Sequence, residues 1–176
     1  MIINCNSSYS ITPFNKGDAQ ELTKKFNNPN IRKWLLDLPT PYLIENANEW
    51  INDNLKYADK NYQHLNLVIR NHQNLLIGGI GKNLTNGTNF AHSCEIGFWL
   101  DEPYWNKGIM TLVVKKYVQY LVTKEQFVRV TAIPFKNNLG SAKVLDKCGF
   151  KLEGILNKFA AKNKAYHDCL LYAYVK

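Results

Sequence analysis

Two short segments have the residue types and spacing of a site that binds a phosphorylated ligand. The first is Asn106-Lys107-Gly108-Ile109-Met110-Thr111, which follows a strand ending at Leu100 and opens an amphipathic helix. The first amides of a helix have no intrahelical partner, and with the helix dipole they attract anions. Gly108 permits backbone angles that a side chain forbids, and Lys107 adds a positive charge. This segment predicts a diphosphate site made of backbone amides.

The second segment, NNLGSAKVLDKCGF, runs from Asn137 to Phe150. It predicts a helix whose first turn places Asn138 and Ser141 on one face. Asn138 is compatible with a helix N-cap or with a ligand contact. Neither GxxxxGK[ST] nor GxGxxG occurs in the chain, which argues against a P-loop and a dinucleotide fingerprint. The two segments together indicate an enzyme that holds a phosphorylated acyl carrier.

The bulk composition is that of one globular domain over residues 1–176. Hydrophobic residues make up 45% of the 176 residues, which argues against disorder. No apolar run approaches the ~20 residues that a membrane helix needs. The first residues lack the pattern of a signal peptide, so we expect a cytoplasmic protein.

The charged residues and the cysteines argue against two other classes of protein. The net charge is +8, but Arg32, Arg70 and Arg129 are the only arginines, whereas nucleic-acid readers favour arginine. Nucleic-acid binding is therefore unlikely, and a lysine-rich surface explains the charge. The four scattered cysteines form no CxxC pair, so we expect buried reduced thiols and no metal site.

The hydrophobic pattern predicts an α+β fold with a mostly antiparallel sheet. An expected capping box has Asp18 as N-cap and Glu21 three residues on. Predicted helices begin at Asp18, Pro29, near Ala47, at Ile109 and at Asn138, the last ending at Gly149. Predicted strands cover Tyr9 to Phe14, Leu65 to Ile69, Leu75 to Ile80, a stretch ending at Leu100, Phe127 to Ile133, Phe150 to Leu156, and Cys169 to Val175. The strands flanking the Gly108 helix should run parallel.

From Ile11 to Tyr172 the sequence resembles the GNAT superfamily of N-acetyltransferases, in its RimJ/RimL-type branch. Five segments carry the resemblance in the family's order: ITPFNKGDAQELTKKFNNPNI, LIGGIG, EIGFWLDEPYWNKGIMT, NNLGSAKVLDKCGF and HDCLLYAYV. The resemblance implies a GNAT-like sheet with a splayed parallel strand pair and helices on both faces. It also implies direct attack of an amine on acetyl-CoA in a ternary complex, with no metal.

The resemblance assigns roles to particular residues. It implies that pantetheine pairs with the backbone of Phe98, Trp99 and Leu100, that residues Asn106 to Thr111 hold the diphosphate, and that Asn138 and Ser141 contact the cofactor. Glu95 is the candidate general base, although a solvent-facing glutamate is the alternative. Ser141 or Tyr172 is the candidate general acid. The implied acceptor pocket includes Trp34, Asp37 and Tyr42.

The identity of the acceptor is open, and departures from the family pattern leave an alternative function. The acceptor is a protein N-terminus, such as that of a ribosomal protein, or a small amine. Asn106 replaces a glycine and Met110 a small residue in the family's WGKGYAT segment, and Leu145 stands where many members have a tyrosine acid. A catalytically silent acyl-CoA-binding module is therefore the alternative function. The oligomeric state is not predicted.

Overall fold

Eight strands and five α-helices occur within residues 1–36, 38–61, 65–84 and 88–176, the part of the chain that this computed structural model describes. The strands are β1 (Ile3–Asn4), β2 (Tyr9–Thr12), β3 (Asn66–Asn71), β4 (Leu76–Leu84), β5 (Ser93–Leu100), β6 (Arg129–Ala132), β7 (Lys151–Lys162) and β8 (Ala165–Val175). The helices are α1 (Ala19–Phe26), α2 (Pro29–Arg32), α3 (Ile44–Asn61), α4 (Ile109–Thr123) and α5 (Leu139–Lys147).

The sheet has the hydrogen-bonded strand order β1-β2-β3-β4-β5-β6-β8-β7. The pairs β1–β2, β2–β3, β3–β4, β6–β8 and β7–β8 run antiparallel. The pair β5–β6, whose connection contains α4, runs parallel, as expected for strands joined by a crossover helix. The predicted α+β fold with one parallel pair is confirmed.

The chain forms two compact units, whose boundaries fall inside β4 and β5. Unit 1 contains Met1–Gly81 and Phe98–Lys107, and unit 2 contains Lys82–Gly97 and Gly108–Lys176. Unit 1 has a core of apolar side chains from the segment after β2, from α1, from the loop before α3, from α3 and from the next two strands: Phe14, Ala19, Leu22, Phe26, Tyr42, Ala47, Ile51, Val68 and Leu76. In unit 2, one face of α4 is buried, together with alternate residues Val130 and Ala132 of β6.

The start of α1 differs from the prediction. Asp18 is not the capping residue, since its carboxylate makes no cap hydrogen bond to α1. A 3₁₀ turn, Lys16–Asp18, precedes the helix, and Asn15 caps this turn in a capping box with Asp18. The Asp18 carboxylate also accepts two hydrogen bonds from Arg70 on β3, at 2.9 and 2.7 Å. The predicted capping box of Asp18 with Glu21 is therefore wrong, because the Asp18 carboxylate binds Asn15 and the distant Arg70 instead.

Several strand bounds also differ from those expected. β1 was not predicted, because it has two residues and exists only through its pairing with β2. β7 and β8 are longer than predicted and form a hairpin whose turn residues Asn163 and Lys164 have φ of 51° and 61°. The strand predicted from Phe127 to Ile133 is shorter, since β6 covers Arg129–Ala132, and Val128 precedes it and is 45% exposed.

Among the helices in the described part of the chain, none combines the length and the apolar character that a membrane crossing requires.

Candidate functional site

The loop before α4 has the backbone that an amide-lined anion site needs. Asn106 and Gly108 both adopt left-handed angles, with φ of 59° and 75°. Gly108 is the N-cap of α4, and in the described structure no side chain caps this helix end. The first intrahelical bond at this end runs from Leu112 N to Gly108 O at 3.1 Å. The amides of the first turn, residues 109–111, therefore have no partner within the helix.

The space around Gly108 is open, and the neighbouring side chains point away from it. A Cβ atom on Gly108 would meet no atom within 4 Å. Ile109 and Met110 are 3% and 7% exposed, so both side chains are buried. The side chain of Met110 is buried, and its backbone amide belongs to the first turn of α4, where the amides have no intrahelical partner. A ligand can therefore approach the backbone here, and the substitution of methionine for a small residue need not block the loop.

β5, the strand proposed to pair with pantetheine, packs closely against two glycines of β4. In β5, Phe98 and Trp99 are half-buried and Leu100 is buried. A Cβ on Gly78 would lie 2.6 Å from Trp99 O, and one on Gly79 would lie 2.5 Å from Trp99 Nε1. The two glycines of β4 thus admit the backbone and ring of Trp99, whose ring also packs edge-on against Phe26 at 5.0 Å.

The parallel ladder between β5 and β6 is short. Its register pairs are Ser93 with Arg129, Cys94 with Val130, and Glu95 with Thr131. β5 continues for five residues beyond Glu95, to Leu100. β6 has only four residues and ends at Ala132, so the ladder ends close to the end of β6.

Glu95 lies at the last pair of this ladder and is half-buried. Burial raises the pKa of its carboxyl above the ordinary value, because a low-dielectric environment disfavours the charged form. A raised carboxyl pKa is typical of general bases and acids in clefts. These features make Glu95 chemically suitable as a base.

Asn138 and Ser141 meet at the start of α5. Asn138 is the N-cap, and its side-chain Oδ1 accepts a hydrogen bond from Ser141 N at 3.2 Å. Both residues are half-buried. The predicted helix and its end at Gly149, with φ of 88°, are confirmed. The capping role occupies the Asn138 carbonyl oxygen, so a cofactor contact would use its amide NH₂ group.

Tyr172 lies on the sheet face opposite Glu95. Glu95 is paired with Thr131, which is paired with Ala173, so these three side chains share a face, and the adjacent Tyr172 points to the other one. Tyr172 is 5% exposed. Burial, then the charge of Asp146 and a hydrogen bond to its carboxylate, raise the pKa of Tyr172. Leu145, at the position where relatives have a tyrosine, is 0% exposed.

The residues proposed for the acceptor pocket lie in unit 1. Trp34 is half-buried, with the Lys33 ammonium 5.3 Å from its ring centroid. Tyr42 is 4% exposed and packs against Phe26 at 5.2 Å, so its ring belongs to the core. Asn27 bonds both backbone groups of Tyr42, at 2.7 and 3.0 Å. Asp37 lies outside the described residues.

Sequence reasoning missed a cleft of about 440 Å³ in unit 2. It is lined by Lys136, Asn137, Tyr166, His167 and Asp168. Lys136 and Asp168 form an ion pair at 3.2 Å, and backbone bonds join the two segments. Only the pairing of β8 with residues 134–136 brings these positions together, so local sequence carried no signal for it. Searched over the described residues, the chain has no cluster of three His, Cys, Asp or Glu side chains suited to a metal.

The family is identified by comparison with known proteins. Residues 10–151 match the family model of the acetyltransferase (GNAT) domain. The chain belongs to the GNAT family of acetyltransferases, which confirms the resemblance read from the sequence.

Individual relatives agree with this assignment. Over 73 residues the chain is 40% identical to the probable N-acetyltransferase YjcK of Bacillus subtilis, a match that covers 42% of this chain and 40% of that protein. It is 26% identical to the putative ribosomal N-acetyltransferase YdaF of B. subtilis, with 97% of this chain and 93% of that protein covered. The match to the first of these relatives thus spans less than half of its length.

A solved structure confirms the fold. The ribosomal L7/L12 alpha-N-protein acetyltransferase RimL, in complex with coenzyme A, superimposes with a TM-score of 0.87 at 21% identity. The superposition covers 99% of this chain and 98% of that chain.

Proposed function

We propose that this chain is an acetyl-CoA-dependent N-acetyltransferase with one N-acetyltransferase domain over residues 1–176. The observation that carries the proposal is the open, uncapped start of α4 at Gly108, with left-handed Asn106 and Gly108 ahead of three amides that lack intrahelical partners. A diphosphate matches such a site in charge and in hydrogen bonding. Lys107 supplies further positive charge.

The rest of the donor would lie along β5. The edge of β5 beyond Glu95, including Phe98, Trp99 and Leu100, would pair with the amide groups of pantetheine. Asn138 and Ser141 at the start of α5 would contact the arm nearer to the sulfur. GNAT membership supports this assignment, as does the coenzyme A complex of the RimL structure.

In the proposed reaction the acceptor amine attacks the thioester carbonyl carbon directly. A new C–N bond forms, the C–S bond breaks, and the products are an acetamide and coenzyme A. Glu95 takes the proton released from the amine, directly or through water, since its half-buried carboxylate has a raised pKa. Ser141 or Tyr172 returns a proton to the leaving thiolate. Ser141 is half-buried, whereas Tyr172 lies on the sheet face opposite Glu95, and this difference supports Ser141 as the acid.

The proposed acceptor is a protein N-terminus, with a small amine as the alternative. The relative covered over 93% of its length is named as a putative ribosomal N-acetyltransferase, which supports a protein acceptor. Trp34, Asp37 and Tyr42 stay predictions for the acceptor pocket, and Tyr42 is more suited to supporting the loop because its ring is buried. The predicted cytoplasmic location also stays a prediction.

A catalytically silent acyl-CoA-binding module is the second candidate. Leu145 stands where the family resemblance places a tyrosine acid and is fully buried, and Tyr172 lies on the sheet face opposite Glu95. Both observations remove an obvious proton donor.

Turnover separates the two candidates. The protein would be incubated with acetyl-CoA and a panel of N-terminal peptides and small amines, and released thiol would be measured. If the chain is an N-acetyltransferase, thiol should be released only when an acceptor is present. Stabilisation by acetyl-CoA without turnover on any amine, or on any protein of a cell extract supplied with labelled acetyl-CoA, would favour the silent module.

A further inference from the structure

The turn that leads into the proposed diphosphate loop is attached to a buried ammonium group. Lys25 on α1 is 8% exposed. Its Nζ donates a hydrogen bond to Asp101 Oδ2 at 2.7 Å and lies 3.1 Å from Glu21 Oε2. Burial alone would lower the pKa of Lys25, but hydrogen bonds and charges from Asp101 and Glu21 outweigh it and raise the pKa. The group therefore carries its charge at neutral pH.

Asp101 connects this ammonium to three parts of the backbone. Its own N–H donates to Ile77 O on β4 at 2.8 Å. Its Oδ1 accepts from Glu102 N at 3.1 Å and so caps the 3₁₀ turn Glu102–Tyr104. The Asp101 carbonyl accepts from Tyr104 N at 3.0 Å. One residue thus fixes the end of β5 and the direction of the turn after it.

Further hydrogen bonds hold the same turn. The Glu102 carboxylate accepts from Asn28 Nδ2 at 3.0 Å and from Asn30 Nδ2 at 3.1 Å, both at the start of α2. Trp105 donates from its backbone N–H to Glu102 O at 3.0 Å and from Nε1 to Leu100 O at 2.7 Å. Among these contacts, the Lys25–Asp101 bond has the most buried donor, since Lys25 is 8% exposed.

We propose that Lys25 and Asp101 are positioning residues for the cofactor loop. The pair holds residues 101–105 so that the chain enters Asn106 and Gly108 in the left-handed conformation that presents the amides to a diphosphate. Left-handed angles are less favourable for Asn106 than for a glycine, although asparagine tolerates them better than most residues, so an anchor at the preceding turn helps to keep them. This inference rests on the proposed function, since it concerns the same cofactor site.

The test compares two variants, each of which removes one of the two carboxylates that contact the Lys25 ammonium group. Asp101→Asn keeps the size of the side chain and an oxygen that caps Glu102, but it removes the charge that holds Lys25. The dissociation constant for coenzyme A should rise about 10-fold to 100-fold, as for the loss of a charge-assisted hydrogen bond. Glu21→Gln is the matched control, since it also removes a carboxylate from Lys25 without touching the loop. Its dissociation constant should change less than about twofold.

Two additional measurements separate positioning from general destabilisation. Hydrogen exchange of the ligand-free protein should become faster in the peptide covering residues 101–112 in Asp101→Asn, and not in Glu21→Gln. Lys25→Met should weaken coenzyme A binding in the same direction, and the double variant should lose no more than the larger single loss. Once an acceptor is identified, KM for acetyl-CoA should rise in Asp101→Asn and Lys25→Met, while kcat at saturating acetyl-CoA stays within about twofold of wild type.

The possible failures are distinguishable. Equal coenzyme A affinity in wild type and Asp101→Asn would overturn the positioning role and leave the proposed function intact. Equal losses in Asp101→Asn and Glu21→Gln would also overturn it, because then only general stability matters. If wild type itself does not bind coenzyme A, the proposed function fails, and faster exchange in Asp101→Asn would then report only local anchoring.

Discussion

Glu95 combines a position at the end of the β5–β6 ladder with a carboxyl whose burial raises its pKa. Replacing it with glutamine keeps the shape and removes the base. We expect kcat to fall about 100-fold, in the range that general-base catalysis supplies. Coenzyme A affinity should stay within about twofold, since the change is outside the proposed diphosphate loop. Steady-state kinetics with calorimetric binding measures both quantities.

The pH dependence follows from the direction of the pKa shift. The base works only when ionised, so the wild-type rate should rise with pH through the raised pKa of Glu95, and this limb should vanish in Glu95→Gln. Stability changes in the opposite sense. The folded protein binds this proton more tightly than the unfolded chain, so ionisation above the raised pKa reduces stability. Glu95→Gln should therefore be at least as stable as wild type at pH 7. A variant that keeps full rate or the same acidic limb would exclude this role for Glu95.

Gly149 serves as a control that separates the proposed role of Gly108 in ligand binding from the effect of backbone strain. Gly108 and Gly149 both adopt left-handed angles at helix ends, with φ of 75° and 88°. Alanine at either position should cost about 1 kcal/mol of unfolding free energy, because the Cβ atom disfavours these angles. Only Gly108→Ala should also weaken coenzyme A binding, and we expect a rise in Kd of about 10-fold. Urea unfolding and calorimetry test this, and equal effects of the two variants on binding would count against the site.

At the scale of secondary-structure elements, β3 and the start of α1 are joined by a buried ion pair. Arg70 and Asp18 are 4% and 5% exposed and share two hydrogen bonds. Asp18→Asn leaves the guanidinium buried without its full counter-charge and should cost about 3–5 kcal/mol of stability. The matched control is Lys56→Met, which breaks an exposed pair with Asp53 and should change stability by less than about 0.5 kcal/mol. Urea titration gives both values, and a small cost for Asp18→Asn would contradict the buried-pair account.

Elements were predictable from the sequence where local chemistry decides their bounds. The end of α5 follows from Gly149, because a left-handed C′ residue favours glycine. Asn74, in the turn between β3 and β4, likewise adopts a left-handed φ of 62°. The capping box was misplaced because Asp18 has a partner 52 residues away. The buried residues of α4 include Val114 and Val118 as well as Val113 and Tyr117, because α4 is apolar over much of its circumference.

At the scale of the whole molecule, all four cysteines are buried, as predicted. Burial is the main cause that raises the pKa of Cys94 to about 12 and that of Cys148 to about 11. A thiol reacts as its thiolate, so none of the four should react quickly with a disulfide reagent at pH 8 in the folded protein. Four thiols should react after unfolding. Rapid labelling of any thiol in the folded state would show that its burial is not maintained in solution.

The family could be predicted, and so could the helix start at the loop proposed to hold the cofactor, because backbone geometry leaves a local sequence signature. Gly108 before an amphipathic helix and Asn138 at the next helix start are such signatures. The cleft around Lys136 and His167 could not be found, because it depends on the pairing of β8 with a distant segment. The Lys25–Asp101 bond joins residues 76 positions apart for the same reason. Acceptor specificity depends on such long-range placement, so the sequence left the acceptor open.

The central claim is that backbone amides around Gly108 hold the diphosphate of the acyl donor. Calorimetric titration of the wild-type protein with coenzyme A, and in parallel with pantetheine, tests it most directly, because pantetheine keeps the thiol arm and lacks the diphosphate. The account predicts saturable binding of coenzyme A and a loss of at least about 100-fold in affinity for pantetheine. Equal affinity for both compounds, or no saturable binding of coenzyme A, would contradict the claim.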